Sequence, residues 1–226
     1  MKHFITFMMA LMLACTVHAQ KDVTTFLGIP VDGFKTQMKN KLIAKGFTPT
    51  KMTGQDFLDG QFNGYDVRLF ICTNNNKVYR IMLVDAICQD EARIKIRYNN
   101  LVNQFKNNKR YMCFKDYEIP ETEDISSQML LYKKKYDACF YQKKEKNDST
   151  ALLNYVRGEL LKDYTEEQLD NLPEELEKEI KDKAISITFE MIAKKSVWFT
   201  IFEYLNKYYI AMYYDNGYNK ANGEDL

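Results

Sequence analysis

Residues 184–215 read AISITFEMIAKKSVWFTIFEYLNKYYIAMYYD, and the fold turns on how this stretch divides. Over 184–192, Ile185, Ile187, Phe189 and Met191 alternate with Ser186, Thr188 and Glu190. A period of two is what a half-buried strand requires, so the spacing predicts a strand there. From 196 to 205, Val197, Phe199 and Ile201 alternate with Trp198, Thr200, Phe202 and Tyr204. Neither face is simply polar, which predicts a central strand. Asn206-Lys207 fits a two-residue hairpin turn, because asparagine tolerates positive φ, and 208–215 returns with Tyr208, Ile210, Met212 and Tyr214 on one side. Three consecutive antiparallel strands are expected.

Upstream, 143–183 is charged and helical in period. Ser149 or Thr150 can cap a helix striped by Leu152, Leu153, Val156, Leu160 and Leu161. Thr165 and Gln168 have capping-box spacing, Pro173 suits a first helical turn, and Leu169, Leu172, Leu176 and Ile180 continue the stripe. This reads as a helical insertion at 148–182, set between strands 136–142 and 184–192 that are expected to be sheet neighbours. Residues 128–132, separated from 136–142 by Lys133-Lys134-Lys135, read as the other arm of a hairpin or as part of one bent strand.

Nearer the start, 34–45 predicts a helix with Asp32 or Thr36 as cap and Gly46 as a left-handed stop. Short strands at 47–51 and 57–62 follow, then an Asn63-Gly64 turn, strands at 65–72 and 78–84, and a strong helix over 90–107. The order helix, meander, helix, meander predicts an α+β fold in which antiparallel sheet meanders carry helices mainly on one face. It is read as a single domain over 20–226 that can be divided into related halves, 20–108 and 109–226.

The chain opens with Lys2, an apolar block from Phe4 to Ala14, and Val17-His18-Ala19. These are the parts of a signal peptide over 1–19, so export to the periplasm or cell surface is expected. The alternative is lipoprotein processing at Cys15, since Met12-Leu13-Ala14-Cys15 loosely resembles a bacterial lipobox. No later segment has the roughly 18 apolar residues of a membrane-spanning helix. Cleavage after Ala19 would remove Lys2, so Lys plus Arg falls from 32 to 31 against 31 Asp plus Glu, a net charge of zero. No global field remains to gather nucleic acid.

Both histidines leave with the same segment. That excludes Ser-His-Asp and Cys-His catalysis and any zinc site built on imidazole. No Gly-rich phosphate loop occurs, and Glu174-Glu175 belong to a solvated acidic helix face. Asp215, Asn219 and Glu224 could frame a calcium ion, but without EF-hand spacing. No catalytic residue, metal ligand or cofactor is assigned. The remaining enzymatic alternative is a histidine-free, carboxylate-dependent enzyme. Cys72, Cys88, Cys113 and Cys139 contain no C-x-x-C spacing. A disulfide between Cys113 and Cys139 is the preferred pairing, against a reading in which all four are small buried hydrophobes. One constellation invites a binding role: Trp198, Tyr204, Tyr209 and Tyr213 on adjacent strands would form a platform for a protein partner or a glycan, unless a helix covers them.

The opening F-L-G-I-P-V-D-G at 26–33, the K-G-F at 45–47 and the ending Y-Y-D-N-G-Y-N-K-A-N-G-E-D-L at 213–226 resemble uncharacterised exported proteins of anaerobic gut bacteria. That resemblance brings no catalytic residues. In the order of helix and meander the chain is also similar to β-lactamase-inhibitor-protein-like and PepSY-like periplasmic modules, from which the helices at 149–181 depart. This second likeness implies a non-enzymatic binding or inhibitor-like module of the bacterial envelope, with an envelope protein or a glycan as partner. The sequence carries no signal for oligomeric state.

Overall fold

The computed structural model describes residues 22–52, 54–143 and 149–221; the signal segment 1–19, Cys15 and Glu224 lie outside them. A two-stranded ribbon, β1 (Thr25–Phe26) and β2 (Ile29–Pro30), leads into helix α1 (Lys35–Ile43), which ends at Gly46 with φ 99°. A meander of four strands follows: β3 (Thr48–Met52), β4 (Gln55–Phe62), β5 (Tyr65–Asn74) and β6 (Lys77–Asp85). Asn63 and Gly64 both take positive φ, 54° and 79°, the mirror-image turn whose twist matches paired strands.

Helix α2 (Glu91–Asn107) starts where the Asp90 carboxylate accepts from the Arg93 N–H at 2.9 Å. It buries Ile94, Tyr98, Leu101, Val102 and Phe105, spaced three or four apart on one side. After β7 (Tyr111–Met112) come helix α3 (Ile125–Tyr132), capped by Asp124, and β8 (Asp137–Gln142). Helices α4 (Ser149–Leu160), α5 (Glu166–Asp170) and α6 (Glu174–Ala193) precede β9 (Ser196–Tyr204) and β10 (Lys207–Asp215). The capping box expected at Thr165 and Gln168 is present.

The fold is α+β, with one eight-stranded antiparallel sheet in the order β3-β4-β5-β6-β10-β9-β8-β7. Each meander is thus entered from an outer edge, and their last strands meet in the middle. Helix α1 packs on β5 and β6, and α2 on β10 and β7. A helix followed by four strands in sheet order thus occurs twice, α1 with β3 to β6 and α2 with β7 to β10, the second run carrying α3 to α6 between its strands.

Register explains the core. Leu58, Leu69, Leu83, Met212, Phe199 and Ala138 lie directly opposite one another across six strands, all buried on the helix side. Each large apolar side chain buried in such a row contributes about 1.5–3 kcal/mol relative to exposure. Under α2, Asp85 accepts from Arg97 Nε at 2.8 Å and from the Ile210 N–H at 3.1 Å.

Two sequence expectations are overturned. Residues 184–192 are the last turns of α6, not a strand. No glycine or proline interrupts 174–193, and once a helix exists each added residue gains a hydrogen bond, which outweighs the few tenths of a kcal/mol that β-branched residues cost. Ile187 and Met191 are half-buried, Ile185 faces solvent, and Phe189, on the same side as Ile185, is partly exposed beside Phe114 and Tyr141. The period of two therefore coincides with opposite sides of a helix. Strand β8 pairs with β9 instead, Tyr141 opposite Ser196, and the insertion extends to Ala193 rather than 182. Residues 128–132 likewise belong to α3, closed by Lys133 in the left-handed conformation, and form no hairpin arm.

Candidate functional site on the open sheet face

Helices cover one side of the sheet, and alternation carries every second side chain to the other. On that open side Phe70, Met82, Tyr213, Trp198 and Cys139 lie opposite one another from β5 to β8. Trp198 and Tyr213 stack at 3.9 Å between centroids with an interplanar angle of 16°. Phe202 and Tyr209 form a second stacked pair at 5.8 Å. Among the described residues, α6 reaches this side at the β8 edge, where its Phe189, together with Phe114, packs against Tyr141.

A bidentate ion pair anchors the row. Arg80 Nε and Nη2 donate to Asp215 Oδ1 and Oδ2 at 2.5 and 2.7 Å, and Trp198 Nε1 donates to the same carboxylate at 3.1 Å. The guanidinium also lies 4.8 Å from the Tyr213 ring centroid and 5.4 Å from that of Trp198. Its hydrogen bond to Asp215 raises the Arg80 pKa, and burial pushes the Tyr213 phenol up. The arrangement is rigid, charge-balanced and aromatic. It offers packing and hydrogen-bonding surface.

The row opens at one end into a groove of about 600 Å³ between α3, residues 133–135 and β9. Leu130 of α3 faces it from one side, and Trp198, Thr200 and Phe202 from the other. Leu130, Phe202, Tyr204 and Leu205 are exposed, Tyr204 to 66 % and Leu205 to 76 %. Lys133 and Lys135 balance Asp137 and Glu203 on the rim.

The structure therefore brings Trp198, Tyr204, Tyr209 and Tyr213 onto one face, as strand alternation requires. Sequence reasoning missed Arg80, Asp215 and the α3 wall. Arg80 stood out in principle as a single charge inside the apolar run of β6, but its partner is 135 residues away. All four cysteines are free thiols, so the expected Cys113–Cys139 bond is not present. Cys113 packs against the core, whereas Cys139 shares the open face with Tyr141. Asp215 is committed to Arg80, and the Asn219 amide donates to Asp32 and to the Val78 carbonyl at 2.6 and 2.8 Å, so the tail does not gather calcium ligands among the described residues. Within those residues no helix is long and apolar enough to cross a membrane. No family model, no curated protein and no solved structure matches the chain.

Proposed function

We propose that this chain is a non-enzymatic, inhibitor-like binding module of the bacterial envelope that docks a protein partner on its open sheet face. One observation carries the reading: exposed apolar side chains from two separate elements, Leu130 on α3 and Phe202 on β9, converge on one groove, and the exposed Tyr204 lies two residues along the strand from Phe202. Chains that act alone rarely leave such a cluster in water, and tryptophan, tyrosine and arginine are the residues that dominate protein interfaces. The partner is an apolar loop or strand whose anchor enters the groove beside Trp198. A glycan platform on the central row is less well supported, because Trp198 and Tyr213 cover each other's ring faces and leave little flat surface for a sugar.

The test places a photo-crosslinking residue at Tyr204 in the exported protein and compares captured partners with those of a chain carrying Trp198→Ala and Phe202→Ser. A discrete protein captured at Tyr204 and lost in the double variant supports the reading. Capture that survives both substitutions, or that occurs equally from a control position at Ile96 on α2, overturns it. Glycan binding that disappears with Trp198→Ala would replace the protein partner by a carbohydrate.

A further inference from the structure

The helix side of the sheet holds a second cavity, independent of the open face. Helix α1 has nine residues and is only about 14 Å long at 1.5 Å per residue. Together with α2 it leaves part of the eight-stranded sheet bare between them. The ribbon β1–β2 fills one end of this gap with Phe26, and the rest is a cleft of about 670 Å³, within the size range of small-molecule sites. Its floor and walls are aromatic: Phe47, Phe62, Phe105, Tyr111 and Tyr214.

The polar fringe has a specific composition. Four amides line it, Gln61, Asn63, Gln104 and Asn108, together with Lys45 and Arg110, and among the described residues no carboxylate does. The amides are partly spoken for in a way that fixes what they offer. Asn63 Nδ2 donates to Gln104 Oε1 at 2.6 Å, which leaves Asn63 Oδ1 as an acceptor and Gln104 Nε2 as a donor. Gln61 Nε2 donates to Asp66 and Asn108 Oδ1 accepts from the Arg110 N–H, leaving Gln61 Oε1 and Asn108 Nδ2. Neither the Lys45 ammonium nor the Arg110 guanidinium is ion-paired among the described residues. Arg110 lies close enough to the Tyr111 and Tyr214 phenols to oppose the rise that burial imposes on their pKa.

Such a set answers a particular ligand. Alternating amide donors and acceptors match vicinal hydroxyl groups, an aromatic floor matches the C–H face of a sugar ring, and two cations that have no carboxylate beside them among the described residues favour an anion. We propose that this cleft binds a pyranose ring bearing a carboxylate, a sugar of the uronic-acid or sialic-acid type, with the carboxylate at Arg110 and Lys45 and the hydroxyls on Asn63 and Gln104.

The experiment is a set of saturation-transfer NMR titrations of the full chain with D-glucuronate, N-acetylneuraminate, D-glucose and benzoate. At least one of the two acidic sugars is expected to bind. Glucose should bind at least about ten-fold more weakly, and benzoate, which lacks hydroxyls, likewise. Lys45→Ala with Arg110→Ala should reduce the acidic sugar to the level of glucose with an unchanged thermal midpoint, since both side chains are exposed. Gln104→Ala, on the exposed side of α2, should weaken the acidic sugar and glucose together, and Trp198→Ala should change neither. Three results would overturn the assignment: glucose equal to both acids, benzoate as tight as the sugars, or no saturation transfer from either acid. Failure here leaves the protein-docking face untouched, because the two sites share no residue.

Discussion

Arg80 on β6 and Asp215 on β10 are direct cross-strand partners, and their bidentate ion pair ties together the two strands at which the halves of the sheet join. The carboxylate also holds the indole of Trp198, which is the single tryptophan of the chain. Asp215→Asn should cost about 1–3 kcal/mol, the range for losing charged hydrogen bonds that are partly buried. It should also release the indole, so intrinsic fluorescence is expected to shift to the red before any unfolding. An unshifted spectrum would mean that Tyr213 alone positions the ring.

The Arg97–Asp85 pair is more deeply enclosed, with the Arg97 residue 4 % exposed and its guanidinium 3.4 Å above the Tyr65 ring. Removing one partner strands a charge, so Arg97→Met is expected to destabilise by about 3–5 kcal/mol. Arg97→Met combined with Asp85→Leu should cost less than the sum of the single changes. Urea denaturation of the four proteins of this cycle measures the coupling, and strict additivity would contradict it.

The hairpin between β9 and β10 turns at Leu205-Asn206, one residue earlier than the sequence suggested, with φ of 52° and 57°. Leucine in the left-handed region is strained by about 1–2 kcal/mol. Changing the pair to Asn-Gly, as at 63–64, should raise stability by about 0.5–1.5 kcal/mol and the thermal midpoint by about 1–6 °C. Partner capture should fall at the same time if the docked surface extends to the turn, where Leu205 is an exposed apolar side chain next to Asn206 of the groove. A turn variant that is stabilised but captures as well as before would remove Leu205 from the interface.

Burial pushes the Cys72 and Cys139 thiols up, with Arg80 partly opposing it at Cys72, while Cys88 is exposed. A raised thiol pKa lowers the reactive thiolate fraction at neutral pH and restores it as pH increases. Iodoacetamide followed by peptide mass mapping should therefore label Cys88 first and Cys72 and Cys139 last, with the difference narrowing toward alkaline pH. Early labelling of Cys139 would contradict its placement.

The helical insertion begins and ends at adjacent points, since the Gln142 N–H donates to the Lys195 carbonyl at 3.0 Å. Replacing 144–193 with a short Asn-Gly turn should leave the sheet intact by circular dichroism, because loop-closure cost changes only with the logarithm of length. What is lost is the Phe189 cover on Tyr141 and Phe114. Partner capture retained by the shortened chain would place recognition on the sheet face; failure to fold would make the helices part of the core.

Much of the sheet could be read from the chain because its signals are local. Asn63-Gly64 specifies a turn by backbone geometry, and Tyr208, Ile210, Met212 and Tyr214 specify a buried face by alternation. The error at 184–192 arose where two periods overlap: an apolar residue at every second position also marks opposite sides of a helix. What decides the case is the uninterrupted helix upstream and the prior claim of β8 on the edge of β9, and neither is visible within the window. The aromatic face was legible for the same reason as the strands. Its ion pair and the α3 wall were not, since both depend on contacts between distant segments, and the cleft between α1 and α2 exists only because of how far each helix reaches across the sheet.

Because the halves meet through their final strands, the middle of the sheet is assembled last. Until β10 has been made, β6 is an unpaired edge carrying Ile81 and Leu83, and β9 is another carrying Phe199 and Ile201. An apolar edge of this kind recruits other chains as readily as its own partner. In the nascent polypeptide β9 meets β10 across a two-residue turn, whereas β6, complete at Asp85, waits until Lys207–Asp215 has been made, and a pairing this distant in sequence closes slowly. A chain released before residue 207 would hold both edges open permanently and should aggregate rather than fold by halves.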